Sequence, residues 1–454
     1  MRNDEPTGPN VGAMASRRAR TAVSAGVSAL IGVSLVVAAM IVPRAYDIDF
    51  NAGISEYPRF PPLHANWVPE FGARGVWPIL VAVAVIALWS RVERLGWRSF
   101  LLVAWAATWV WTFTLAYVDG PDGLSETWRR EGEYVYDAQR VDSIGTALAD
   151  FIDRIPLDAA DHWYIHVAGH PPGALLAFVG LDRIGITDEF WIGMTVMTVG
   201  TTAVIAALLA IRALGSETLA RRGAPWLVLA PIAIWMGVCG DALFTAVAAW
   251  GLALLAYASR RTGRACAAYG VAAGIALGYC VYLSYGLVLL GPLAVAVLVL
   301  AGTARALPWA VGGALAVAAA FTVAGFAWWE AYPVLRERYF DGIASDRPYS
   351  YWVWADFAAW TFTAGLATWA AIPAAVHRVR ERNPIAVLGC TALLCMGAAA
   401  LSGMSKAEVE RIWMPFTLWT LMLPALLPTR WRPLLLASHA ITALLVQFLL
   451  LTRW

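Results

Sequence analysis

The sequence predicts an all-α fold, a polytopic transmembrane helical bundle of about thirteen spans, and three observations carry that reading. Of the 454 residues, 60% are hydrophobic and only 14% are charged, with a mean hydropathy of +0.63. Apolar runs of about 20 residues, the length that crosses hydrocarbon as a helix, recur along almost the whole chain. These runs lack the alternation of barrel strands, and a bilayer core has no water to satisfy backbone groups left outside a helix or a closed barrel.

Residues 1–21 are polar, carry Arg17, Arg18 and Arg20, and read as a cytoplasmic tail. The apolar run from about Thr21 to Val42 is too long for the core of a cleavable signal peptide, so it is expected to be an uncleaved anchor. Further spans are expected near 75–91, 98–118, 190–211, 225–239, 241–258, 265–282, 285–301, 307–329, 355–375, 384–401, 412–427 and 432–450. Walking these spans inward and outward places Arg91, Arg94 and Arg98, then Arg212, Arg221 and Arg222, then Arg260, Arg261 and Arg264, on cytoplasmic turns. Arg305, Arg378, Arg380, Arg382, Arg430 and Arg432 follow the same rule. The stretch Pro171 to Ile184 is apolar too, but counting it as a span would put Arg221 and Arg222 outside, so it is expected to be interfacial or re-entrant. The resulting organisation has three N-terminal spans in 22–118 with an outer loop at 44–74. An outer acidic loop follows at 119–189, and then a C-terminal bundle at 190–454 with an outer loop at 330–354. Such a chain is expected in the plasma membrane among its lipids.

The 33 basic and 31 acidic residues nearly cancel, which removes any electrostatic argument for a nucleic-acid partner. Cys266, Cys280, Cys390 and Cys395 fall in apolar runs and Cys239 stands alone near a span end, so no disulfide or zinc framework is read.

The acidic loop is the candidate site. Between Asp119 and Asp161 it carries eleven acidic residues against four arginines. A carboxylate at the outer end of a span is partly desolvated, which moves its pKa toward neutrality and suits a general base. Asp119, Glu131, Glu133 and Asp137 are the candidates. His162, His166 and His170 repeat every four residues and would share one helix face, an arrangement that binds a divalent cation, but the Pro171–Pro172 pair places a helix boundary at His170. His166 and His170 are therefore assigned to substrate contact, and no metal ligand is assigned. In the later outer segments, Arg347 beside Tyr349, and Lys406, Glu410 and Arg411 in the charged run that opens a late span, are substrate-site candidates. Asp241, preceded by Cys239 and Gly240, reads as a tight outer turn between two spans.

An acidic outer loop, a His170–Pro171–Pro172–Gly173 turn opening a short apolar helix, and an inward span ending in basic residues together resemble the GT-C superfamily of membrane glycosyltransferases. Gly240–Asp241 is similar to that superfamily's small-Asp turn, and Glu408 to Trp413 to its charged opening of a late span. Two features depart from the pattern: two extra spans precede the loop, and the adjacent Asp-Asp or Asp-Glu pair is absent. The resemblance implies a polyprenyl-phosphate sugar donor, a cell-envelope acceptor, transfer with inversion, and a carboxylate base that corresponds by position to Asp119, or to Glu133 through the Glu133–Tyr134 pair. It also implies His170 as the residue before Pro-Pro, and Arg347, Lys406 and Arg411 at the donor phosphate. No nucleotide is expected, and a divalent cation is left open. Composition, rich in Ala and Arg, points to a high-GC actinobacterium. A multi-span transporter or lipid flippase is the competing class, but its charges would sit at mid-membrane with repeated halves. A non-catalytic assembly partner of the envelope is the third.

Overall fold

The computed structural model describes residues 11–46, 48, 57–342 and 344–452, with side chains from residue 19 onward. Residues 1–10 of the expected tail, the side chains of Arg17 and Arg18, and residues 47 and 49–56 of the expected outer loop lie outside the described part.

The chain is an all-α polytopic bundle. Among the described residues, eight helices are long and apolar enough to cross a membrane, and ten if each of two bent pairs is one span. The eight are Ala19–Ala45, Ala73–Val92, Trp97–Asp119, Glu189–Leu214, Asp241–Ser259, Gly263–Leu283, Pro384–Ser402 and Thr429–Leu449. The bent pairs are Leu307–Val323 with Trp328–Asp341, at 73°, and Tyr349–Ala364 with Leu366–Val379, at 106°. The second bend falls at Gly365, whose φ of 73° is the left-handed conformation that a residue without a Cβ adopts freely.

Three other expected spans are not long helices. Residues 285–301 and 412–427 hold the shorter apolar helices Tyr285–Ala301 and Met414–Leu426. Residues 225–239 form a broken passage: the helix Glu217–Val228 contains Pro225, Pro231 follows, and only the single turn Ala233–Met236 remains. Proline lacks the N–H that continues a helix, so the ladder fails twice here. Every residue from 223 to 242 is buried, and Trp111 Nε1 donates to the Ala230 carbonyl at 3.2 Å. Irregular backbone at membrane depth is tolerated when protein surrounds it.

The bundle has two polar ends. At the end expected to be cytoplasmic, Arg432 meets Glu93 at 2.6 Å, Arg221 donates to the Glu93 carbonyl at 3.0 Å, and Arg260 donates to the Ala213 carbonyl at 2.9 Å. The helix Asp241–Ser259 runs from that end to the other, roughly 28 Å at about 1.5 Å per residue. Fully buried Trp89, Trp111, Trp226, Trp235, Trp360 and Trp419 fill the space between. The N-terminal helix is fastened to the bundle by Ser28, which donates to the Trp369 carbonyl at 2.6 Å, and by Tyr351, which donates to the Ala39 carbonyl at 2.7 Å. At the expected outer end, Ala65–Trp67 pairs antiparallel with Leu450–Thr452, tying the first outer loop to the C-terminal segment.

Candidate active site

Glu133, itself in extended backbone after a turn, leads into the short helix Tyr134–Ala138. The four-residue helix Ile165–Ala168 is held beside it, because the His166 backbone N–H donates to the Gly132 carbonyl at 3.2 Å. This pairing brings Glu133 Oε1 and His166 Nε2 to 3.2 Å. Burial pushes the Glu133 carboxyl up to about 7, with the Arg411 guanidinium opposing the shift. Burial also holds His166 well below its ordinary range, with Arg411 adding to the effect. The contact is therefore a hydrogen bond carrying one proton, not an ion pair. His170 Nδ1 lies 2.8 Å from the His166 carbonyl, which only accepts, so Nδ1 bears the proton and Nε2 is left as an acceptor. Burial lowers His170 as well, which keeps it neutral.

Tyr134 locks this pair onto the bundle. Its ring stacks on Phe178 at 4.9 Å and meets the His170 ring at 5.7 Å. It also lies directly against Gly240, where a Cβ would stand 3.0 Å from the ring, so glycine is what lets the loop close on the turn before Asp241. Below, Tyr279 Oη donates to the Gly173 carbonyl at 2.8 Å and anchors the helix Pro172–Arg183.

A buried ionic cluster adjoins the Glu133–His166 pair. Arg411 Nη1 meets Asp241 Oδ2 at 2.9 Å, and Arg411 Nη2 meets Glu408 Oε2 at 2.7 Å. Arg347 Nη2 meets Glu408 Oε1 at 2.8 Å, and Arg347 Nη1 donates to the Lys406 carbonyl at 2.8 Å. Lys406, the sole lysine of the chain, donates to the Ala344 carbonyl at 3.0 Å. Two arginines hold the Glu408 carboxyl well below the ordinary carboxylate range against the upward pull of its burial. Glu410 differs: its Oε1 accepts the His64 backbone N–H at 3.2 Å, and burial raises it to about 7. Asp356, on the helix Tyr349–Ala364, accepts the Ala407 N–H at 3.1 Å. Ala407 and Glu408 both have positive φ, 67° and 60°, a strained backbone that persists where its surroundings enforce it.

The structure thus brings Glu133, His166, His170, Arg347, Lys406, Glu410 and Arg411 together. The other sequence candidates lie elsewhere. Asp119 is exposed and accepts from Gln447 at 2.8 Å, and among the described residues no hydrogen bond or ion pair joins it to the cluster. Glu131 is exposed and accepts from Tyr164 at 3.5 Å. Asp137 is buried and raised by that burial, but its partners are the Tyr164 N–H at 3.0 Å and Arg140 at 3.6 Å, within the loop itself. Tyr349 donates to the Leu401 carbonyl at 3.1 Å on the surface. The four-residue histidine repeat does not form a helix face, because only His166 lies in Ile165–Ala168. Among the described residues no three His, Cys, Asp or Glu side chains gather as a metal would need.

Sequence reading did not assign Asp241, Glu408, Asp356 or His64 to the site. Asp241 had a signal, since a lone carboxylate within an apolar stretch needs a partner. Glu408 had one in its spacing of three from Arg411. His64 had none, because its backbone N–H meets Glu410 from 346 positions away in the sequence.

Together these features define a polytopic helical membrane protein with a closed ionic site at one end of its bundle. No family model matches the chain, and no curated protein matches it. It is similar to the solved structure of ArnT from Cupriavidus metallidurans in the apo state, with 16% identity and a TM-score of 0.42 over 66% of this chain and 56% of that one. It is also similar to the Archaeoglobus fulgidus oligosaccharyltransferase in complex with zinc and sulfate, with 14% identity and a TM-score of 0.43 over 77% of this chain and 53% of that one. The chain spans about half the length of these structures.

Proposed function

We propose that the protein is a membrane glycosyltransferase of the kind its motifs resemble, moving a sugar from a polyprenyl-phosphate donor to a hydroxyl of a cell-envelope acceptor at the outer face of the plasma membrane. One observation carries this reading: a buried carboxyl poised at about 7, hydrogen-bonded to a neutral histidine, stands beside anchored cations. A base must bind a proton strongly enough to take it from a hydroxyl and still be ionised in part near working pH, and burial, by raising Glu133 to about 7, strengthens it as a base while leaving an ionised fraction. The ionised Glu133 takes the acceptor's proton while His166 steadies the carboxylate. The acceptor oxygen forms a bond to the anomeric carbon as the bond from that carbon to the phosphate oxygen breaks on the opposite face. The phosphate leaves with the electron pair, and Arg347, Lys406 and Arg411 stabilise its charge. Nearby His170 offers Nε2 as an acceptor for a sugar hydroxyl.

The test is release of free polyprenyl phosphate by the purified, reconstituted protein from a panel of polyprenyl-phosphate sugars, with envelope extract as acceptor. Glu133→Gln is expected to lower the rate by about 10²–10⁴-fold, the usual contribution of a general base, and Asp119→Asn to leave it within a few-fold. The reverse ranking would move the base to Asp119. No release from any donor would sink the enzyme reading and favour a transporter.

A further inference from the structure

Arg347 and Arg411 divide their nitrogens in the same way. In each, Nη1 is anchored, to the Lys406 carbonyl at 2.8 Å and to Asp241 at 2.9 Å. In each, Nη2 is presented to one oxygen of the same carboxylate, Glu408 Oε1 at 2.8 Å and Oε2 at 2.7 Å. Two guanidiniums from distant segments thus form a fork that grips a two-oxygen anion, the shape that also suits two unesterified oxygens of a phosphate. The anion in the fork is the protein's own, and it is the least enclosed part of it: 15% of the Glu408 side chain is exposed, against 3% for Arg347 and 6% for Arg411. The backbone beneath it is held in the left-handed region at both Ala407 and Glu408, so release of the carboxylate frees a strained segment.

We infer that Glu408 is a built-in stand-in for a substrate phosphate: its carboxylate fills the Arg347–Arg411 fork in the free protein, and the phosphate of a lipid-linked ligand displaces it. This rests on the proposed use of those arginines at the donor phosphate, and adds that the phosphate site is formed beforehand and occupied by an internal competitor. Asp241 and the Lys406 carbonyl keep both guanidiniums in place when Glu408 leaves. Departure of the Glu408 carboxylate removes one negative charge from beside Arg347 and Arg411, and a phosphate restores it. An internal competitor lowers apparent affinity by the fraction of time it holds the site, which favours release of the phosphate product.

The experiment is binding of farnesyl phosphate to the full chain in detergent, by calorimetry, with farnesol as the phosphate-free control. Glu408→Gln keeps the size of the side chain and removes the competing charge, so it is expected to bind at least ~10-fold more tightly than the wild type. Equal or weaker binding by the variant would show that Glu408 merely positions the arginines, and overturns the inference while leaving the phosphate site standing. Binding by neither protein overturns the phosphate site as well. Hydrogen exchange in the wild type decides independently of whether the variant folds: amides of 405–411 are expected to exchange faster when farnesyl phosphate is bound. Slower exchange would mean that the ligand adds to a closed cluster, and overturns the inference.

Discussion

The two polar ends of the bundle use the same residue types to opposite effect. At the expected cytoplasmic end, Arg432 and Glu93 pair with 24% of each side chain exposed, and Arg212 meets Glu217 with 40% and 35% exposed. Each pair shares its charge with solvent and is replaceable. At the other end, Arg411 and Asp241 pair with only 6% of each exposed, and the same guanidinium continues into Glu408 and, through it, into Arg347. Removing a partner there strands a charge that water cannot reach. A basic turn at one end marks orientation, whereas the buried network at the other is organised around a site.

The largest expected difference follows from that contrast. Arg411→Ala leaves Asp241 and Glu408 buried without their shared cation, which costs about 3–5 kcal/mol. Arg432→Ala at the opposite end costs about 1 kcal/mol or less. Thermal unfolding of the detergent-purified proteins measures both. Equal losses would break the distinction between the ends, and a near-neutral Arg411→Ala would show that the cluster is hydrated.

The next effect is on pH. Glu133 and Glu410 are raised by burial from an ordinary 4.5 to about 7. Between those values the folded chain holds protons that the unfolded chain has released, so stability from these groups is full below about 4.5 and is lost as pH rises through about 7. Glu408 runs the other way: its depressed carboxyl contributes stability above its ordinary value, lost as pH falls below it. The purified protein is therefore expected to be more stable at pH 5 than at pH 8, and a Glu133→Gln, Glu410→Gln double variant to flatten that slope. If Glu133 is the base, as proposed, sugar transfer is expected to rise over the same window, because the ionised form takes the proton. Stability that increases from pH 5 to 8 would contradict the buried, proton-holding state of both groups.

Much of the bundle was legible because apolar length is a local property. Eight expected spans correspond to helices long enough to cross, and the arginine-bearing turns Arg212, Arg221, Arg260 and Arg432 do meet at one end. The broken passage at 225–239 was less so: hydropathy registers apolar residues, while Pro225 and Pro231 remove the helix without removing the apolarity. The site was legible in its charged motifs and not in their pairing. Asp119 and Glu133 look alike along the chain, yet Asp119 accepts from Gln447 while the Glu133 carboxyl meets His166 next to Tyr134, whose ring packs against Gly240. That choice is made by packing between segments more than a hundred residues apart. His64 shows the limit, since its backbone N–H reaches Glu410 across 346 positions of sequence.

A smaller perturbation tests that docking. Gly240→Ala places a methyl 3.0 Å from the Tyr134 ring, which must shift by a few tenths of an ångström and carries Glu133 with it. Overpacking of this kind costs about 1–3 kcal/mol, so stability is expected to fall modestly while, on the proposed role of Glu133, sugar transfer falls by about 10-fold through its displacement. Loss of stability with unchanged transfer would detach Tyr134 from the placement of Glu133.

The smallest effect is expected where the comparison is sharpest. Glu93 accepts from Arg432 at 2.6 Å and 3.4 Å, and its backbone carbonyl accepts from Arg221. Glu93→Gln removes only the side-chain charge, keeping the carbonyl contact and an oxygen for Arg432. Arg432 is 24% exposed and Arg221 retains Glu217 at 2.6 Å, so neither guanidinium is stranded. The variant is expected to lose no more than about 1 kcal/mol in thermal unfolding and to transfer sugar at the wild-type rate. A large loss of transfer with intact folding would mean that this end is coupled to the site through Asp241–Ser259, the helix that joins them, and the two ends would then have to be read as one system.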